Sequence, residues 1–166
     1  MPTGWFKNGT PVTLGAGALE MNITDLTDGI IFNQFICHTF DAVAQSIQWR
    51  WGDAAIDTGN NYAERYEQDD AADATDVSRA SLFAYYQGAD FDRFNVWYGI
   101  NIASKEKLFY GCGVTTSANG AASAPNRIEV AGKWVDTTDQ YTRVRVFSHS
   151  GNMPIGSNLS ALGSVT

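Results

Sequence analysis

In Gln45-Ser46-Ile47-Gln48-Trp49-Arg50-Trp51-Gly52, polar and apolar side chains alternate from Ser46 to Trp51. In an extended chain successive side chains point to opposite faces. Ile47, Trp49 and Trp51 therefore share one side, and Ser46, Gln48 and Arg50 share the other. A helix would set the two tryptophans on opposite flanks. The segment reads as a half-buried strand with an aromatic inner face, and it places Trp49 and Trp51 in the core.

The same two-residue period recurs along the chain, broken by Gly, Asn, Asp and Ser. Strands are expected at 19–23, 30–40, 62–66, 79–86, 93–103, 105–115, 127–135, 141–148 and 158–165. In 62–66, Tyr62, Glu64 and Tyr66 fall on one side. In 93–103 the expectation is Phe94, Val96, Tyr98, Ile100 and Ile102 inward, with Asn95, Trp97, Gly99 and Asn101 outward. The turn at 103–106 makes 93–115 a hairpin. Segments 53–61, 67–76 and 116–125 read as loops, the second with room for one helical turn. Many short strands at this spacing, with no sustained helical period, indicate an all-β fold, an antiparallel β-sandwich of the jelly-roll type; a closed barrel is the alternative. Residues 1–18, with Gly4, Gly9, Gly15, Gly17 and Pro11, read as an extended N-terminal arm, and residues 19–166 as the β-sandwich domain.

Composition narrows the function classes. The 166 residues carry a net charge of −7, and charged residues make up 17%, against about 25% in an average soluble domain. Asp outnumbers Glu 13 to 5, which suits turns better than helix interiors. Acidity without a basic stripe argues against nucleic acid, and the lack of a Lys/Arg run argues against an anionic membrane surface. The first residues show no secretory signal, and no apolar run is long enough for a membrane helix. The Asn-x-Ser/Thr triplets at Asn8, Asn22 and Asn158 read as chance matches.

Residues that do chemistry are sparse. No phosphate loop, nucleophile elbow or zinc-helix motif occurs. His38 lies mid-strand as a core or interface histidine. Ser148 and His149 are neighbours on a strand and so point apart, which excludes a catalytic pair. Glu64 and Glu129 are the best carboxylates for glycoside hydrolysis, yet both read as solvated. Asp69, Asp70, Asp73 and Asp76 form an acidic loop whose spacing does not fit an EF-hand. Cys37 and Cys112 read as thiols within apolar runs, with pairing left open. No enzyme activity, cofactor or metal is expected. Candidate interface residues are the arm's Trp5, Phe6, Val12 and Leu14, together with Trp97, Tyr85 and Tyr86. For the outward aromatics three readings stand: an anchor in a protein interface, a second buried face, or a platform for sugar rings.

Three segments carry a resemblance. They are Leu19-Glu20-Met21-Asn22-Ile23 leading to Ile31-Phe32-Asn33-Gln34-Phe35-Ile36, then Asn60-Asn61-Tyr62-Ala63-Glu64-Arg65-Tyr66 with Val96-Trp97-Tyr98, and lastly Met153-Pro154-Ile155-Gly156-Ser157-Asn158-Leu159-Ser160-Ala161-Leu162-Gly163. Together the chain resembles the β-rich structural and fibre-tip domains of tailed bacteriophages, many of them marine; Ala161 stands where those domains usually have Tyr. The resemblance implies a jelly-roll component of the virion with no catalytic residues to carry over. Its implied partners are other virion proteins, capsid or fibre, and copies of itself. A capsid decoration or accessory protein is the first expectation, and a tail-fibre or receptor-binding tip that recognises a host-surface carbohydrate is the alternative.

Overall fold

The computed structural model describes residues 4–40, 45–87, 92–116 and 120–165, leaving aside the side chains of 45 and 84–87. Among the described residues it contains thirteen strands and no helix: β1 (Phe6–Lys7), β2 (Val12–Thr13), β3 (Glu20–Ile23), β4 (Phe32–Thr39), β5 (Gln45–Gly52), β6 (Tyr62–Gln68), β7 (Ala74–Arg79), β8 (Leu82–Gln87), β9 (Arg93–Ile100), β10 (Lys107–Thr115), β11 (Asn126–Trp134), β12 (Arg143–Ser148) and β13 (Asn158–Ser164). They form two antiparallel sheets. One has nine strands in the order β1-β13-β4-β9-β10-β11-β6-β7, with β2 also on β13; the other has four, β3-β12-β5-β8. The chain is an antiparallel β-sandwich and is not closed into a barrel.

The strands pair as nested arms: β6 with β7, β5 with β8, β4 with β9, and β3 with β12. This nesting rolls one long antiparallel ribbon into two facing sheets, the jelly-roll arrangement. β10 and β11 are added between β9 and β6, which widens the larger sheet. The expected strands are nearly all present. The segment 67–76 differs: it is the reversal of the β6–β7 hairpin, turning at Asp69 and Asp70 with φ of 51° and 61°.

The core is aromatic. Trp49 and Trp51 are fully buried beside Phe35, Trp97, Phe109 and Tyr141. Trp51 stacks on Phe109 with ring centroids 3.9 Å apart, and Trp49 meets Trp97 at 5.6 Å. One expectation is overturned here. In β9 the inward residues are Arg93, Asn95, Trp97 and Gly99, and the outward ones are Phe94, Val96, Tyr98 and Ile100. Trp97 is therefore a core residue, 1% exposed, and not an interface residue. The reason is volume. Trp97 packs against Trp49 and Trp51 of β5, and its ring takes the space over the inner position of the neighbouring strand, which is therefore glycine. A Cβ on Gly111 would lie 2.5 Å from the Trp97 ring, and one on Gly99 would lie 2.7 Å from the Tyr141 hydroxyl.

Buried polar groups tie the sheets and loops together, as burial requires. The Tyr62 hydroxyl, from the larger sheet, donates to the Trp51 carbonyl (2.9 Å) and accepts from the Trp51 N–H (3.0 Å) of the smaller one. Asn101 exchanges two hydrogen bonds with the Tyr141 backbone, at 3.0 and 2.8 Å. Lys107 is buried, donates to the Asp136 carbonyl at 2.8 Å, and lies 5.6 Å from the centroid of a Trp134 ring.

Residues of the N-terminal segment run along β13. The Asn8 N–H donates to the Ala161 carbonyl at 2.9 Å, and its buried side chain donates to Asn33 Oδ1 at 2.7 Å and accepts from the Thr27 N–H at 2.7 Å. Gly9, at φ 82°, follows directly, where a Cβ would strike Ile23 at 2.6 Å. Val12 and Leu14 pack against the core, while Trp5 and Phe6 remain exposed.

Candidate functional site

The two outer faces of the sandwich differ in kind. The smaller sheet's outer face is finished with charge. Arg50 lies over the Phe147 ring at 4.3 Å and donates to the Ala80 carbonyl at 2.8 Å, and Arg145 reaches Asn22 at 2.9 Å and Glu20 at 3.2 Å. The larger sheet's outer face is apolar across β4, β9 and β10. The row Phe94, Val96, Tyr98, Ile100 from β9 is flanked by Phe32 and Ile36 from β4, and by Leu108, Tyr110 and Val114 from β10. Among the described residues of these three strands, no Asp, Glu, Lys or Arg points outward. Charge returns on β11 and β6, where Arg127, Glu129 and Lys133 stand near Arg65 and Glu67.

At one end of the strip the sheet surface deepens into a groove of about 430 Å³, walled by Trp5, Phe32, Tyr98, Ile100, Leu108 and Tyr110. The Gln34 amide donates to the Tyr98 hydroxyl at 3.2 Å. Near the middle of the strip lies Cys112, whose register partners are Val96 and Glu129. Burial, with the Glu129 carboxylate adding to it, pushes this thiol's pKa up. Cys37 is buried on the inner face of the same sheet, so the two thiols face opposite ways and do not pair.

The other candidates from the sequence are dispersed. Tyr85 and Tyr86 belong to β8, but their side chains lie outside the described residues. His38 faces outward from β4 with its ring 4.4 Å from that of Phe40. The Ser148 hydroxyl donates to the Ser150 carbonyl at 2.7 Å, directed away from any role with His149. In the acidic turn, Arg127 pairs with Asp70 (2.8 Å) and Glu67 (3.1 Å), Arg65 with Asp73 (3.7 Å), and Arg79 with Asp76 (2.9 Å). Asp69 accepts from the Arg127 N–H at 2.7 Å. The carboxylates thus close their own turn with arginine.

Glu64 is the residue whose reading changes most. It is buried, not solvated: 4% exposed, with Oε2 accepting from the Phe83 N–H at 2.7 Å. Glu129 is exposed on the opposite face of the sheet. Two carboxylates on opposite faces cannot flank one glycosidic bond. The alternation Tyr62-Glu64-Tyr66 already placed Glu64 on an aromatic face; that signal was present in the sequence and outweighed by its charge.

Burial pushes the Glu64 carboxyl up to about 7, against the opposing effects of the Phe83 N–H and Arg79. Between 4.5 and about 7 the folded chain holds a proton that the unfolded chain has lost. Stability should therefore fall as pH rises through that window. Glu64→Gln keeps an acceptor for Phe83 and cannot ionise, so its denaturation midpoint should change less between about pH 5 and about pH 8 than that of the wild type. Equal pH dependence in the two proteins would show that Glu64 titrates as a solvated acid.

No family model matches the chain, and no curated protein matches it. Among solved structures, the chain is similar to the CBM2 module of the evolved Dit of Lactobacillus casei BL23 phage J-1, at 9% identity and a TM-score of 0.27, over 89% of this chain and 69% of that one. At that distance the superposition assigns neither a family nor a function.

Proposed function

We propose that the chain is a structural component of a bacteriophage particle, a capsid decoration or accessory protein that works by docking and not by catalysis. The observation that carries this reading is the apolar outer face of the larger sheet. Contiguous exposed apolar surface of this kind marks an interaction site, and the charged outer face of the smaller sheet shows how the same chain finishes a surface meant for water. The resemblance of residues 19–163 to phage structural domains supplies the setting: the virion, with major capsid or fibre proteins and copies of the chain itself as partners. The reading involves no cofactor, metal, nucleic acid or membrane.

The rings of Trp5, Tyr98 and Tyr110 around the groove favour a second reading, a fibre or receptor-binding tip that stacks on a host-surface carbohydrate. A sugar site also needs convergent polar groups to fix the hydroxyls. Here the Gln34 amide is already engaged with Tyr98, which weights the choice toward protein.

Mass spectrometry of purified parent particles should find the chain in many copies. Particles assembled with Tyr98→Glu should have lost it while the purified variant stays folded. Its absence from wild-type particles would sink the reading. Saturable binding of a host glycan, abolished by Trp5→Ala, would replace it with the second.

A further inference from the structure

We infer that the outer face of the larger sheet is covered by a second copy of this chain, the two sheets packing face to face through β4, β9 and β10. The inference rests on the docking reading above and names the occupant. Four observations carry it.

The first is charge. Each copy carries −7, so two copies repel over most of their surfaces. The strip is the broad region free of outward Asp, Glu, Lys and Arg, and there two copies meet without like charges in register. A partner chosen by charge would need Asp, Glu, Lys or Arg on the patch, and the described residues of the three strands point none outward. The flanking β11–β6 surface alternates both signs, which suits a two-fold pairing, where one patch must complement itself.

The second is area. Phe32, Phe94, Tyr98, Leu108, Tyr110 and Val114 are each 38% to 54% exposed. With about 150–250 Å² for each aromatic side chain, the strip offers on the order of 600 Å² of side-chain surface per copy. A stable interface takes about 800 Å² per partner, and the half-buried Ile36, Val96 and Cys112 lie within the same footprint.

The third is shape. A twisted sheet is best covered by a sheet of the same twist, about 10 Å away and rotated by about 30°. A second copy supplies that surface by construction. The fourth is that the alternative route, adding a strand at an edge of this larger sheet, is obstructed. One edge is the two-residue β1 and the other is β7, which carries Asp76 and Arg79 and has Ser78 at φ 53°. Short, charged and irregular edges resist strand addition.

Cys112, near the middle of the strip, is the reporter. Sedimentation velocity of the full chain across a dilution series should show twice the chain mass, dissociating on dilution. Tyr98→Glu should give the single-chain mass and still melt in one cooperative transition, and so should the milder Leu108→Ser, in case the charge impairs folding. A bulky maleimide should modify Cys112 at least about ten-fold faster in these variants than in the concentrated wild type, as expected when an interface that excludes water is opened. A wild type that stays single at every concentration, with Cys112 reacting equally in all three proteins, would overturn the inference. If that single chain still joins parent particles and Tyr98→Glu does not, the docking reading survives and only the occupant is wrong. If the wild type dimerises as described but is absent from particles, the pairing stands and the virion reading falls.

Discussion

Trp49→Ala should lower stability by about 3–5 kcal/mol, the range for removing a large aromatic side chain from a packed core. Trp49 is fully buried and touches rings from both sheets: Trp51 at 6.0 Å and 20° on its own strand, Phe35 at 6.2 Å from β4, and Trp97 at 5.6 Å from β9. Those neighbours are themselves rings on strands paired on both sides, so they cannot collapse into the void. The cost should therefore fall in the upper part of the range, since poor relaxation leaves a larger cavity. Urea denaturation of the variant, with the slope unchanged and the midpoint lowered, is the measurement. A loss below about 1 kcal/mol would mean that the core is not organised around this ring.

Gly111→Ala should destabilise by about 1–3 kcal/mol, although it adds a single methyl group. The added Cβ would approach three atoms of the Trp97 ring at 2.5, 2.6 and 2.8 Å. Trp97 has nowhere to retreat, being held between Trp49 and Trp51. Away from such a site, alanine in place of glycine is mildly stabilising in a strand, so the sign of the effect is the test. Gly29→Ala is a poor control because Gly29 has φ 79°; Gly15→Ala, with open space around its Cβ, is the suitable one. If Gly111→Ala matches Gly15→Ala in thermal melts, the Trp97 ring does not require a bare backbone at position 111.

The crowding around Trp97 also limited what the sequence could disclose. In β5 one face is plainly polar: Ser46, Gln48 and Arg50. There, alternation sorted the faces correctly. In β9 alternation divided the residues correctly into two sets and hydrophobicity then chose the wrong one as inner. Phe94, Val96, Tyr98 and Ile100 are the more apolar set, but Trp97 with Asn95 and Gly99 is the set that fits beneath rings arriving from β5. Which set fits depends on a strand more than forty positions earlier, and periodicity within one strand carries no such information. The acidic segment 67–76 was legible as a loop but not as a hairpin, because the cation that neutralises its turn, Arg127 on β11, lies far off in sequence. Glu64 was legible in direction and misjudged in burial for the complementary reason: a charged residue type was given more weight than the aromatic neighbours on its own face. The candidate site itself escaped the sequence reading through the β9 inversion, since its central row is the set assigned to the core.

The nesting of the strands also bears on how the chain comes off the ribosome. β3 finds its partner only in β12, and a contact such as Arg145 to Asn22 closes a span of 123 positions. β4 has β9 on one side and β13 on the other. Until β9 and β10 are made the chain therefore exposes Phe35, Trp49 and Trp51 without Trp97 and Phe109, the rings that cover the two tryptophans. At about 5–20 residues per second, that interval lasts several seconds. Non-local pairing of this kind folds in milliseconds to seconds, so translation and not closure sets the pace. A translational pause between β5 and β9 would lengthen that exposure of the two tryptophans.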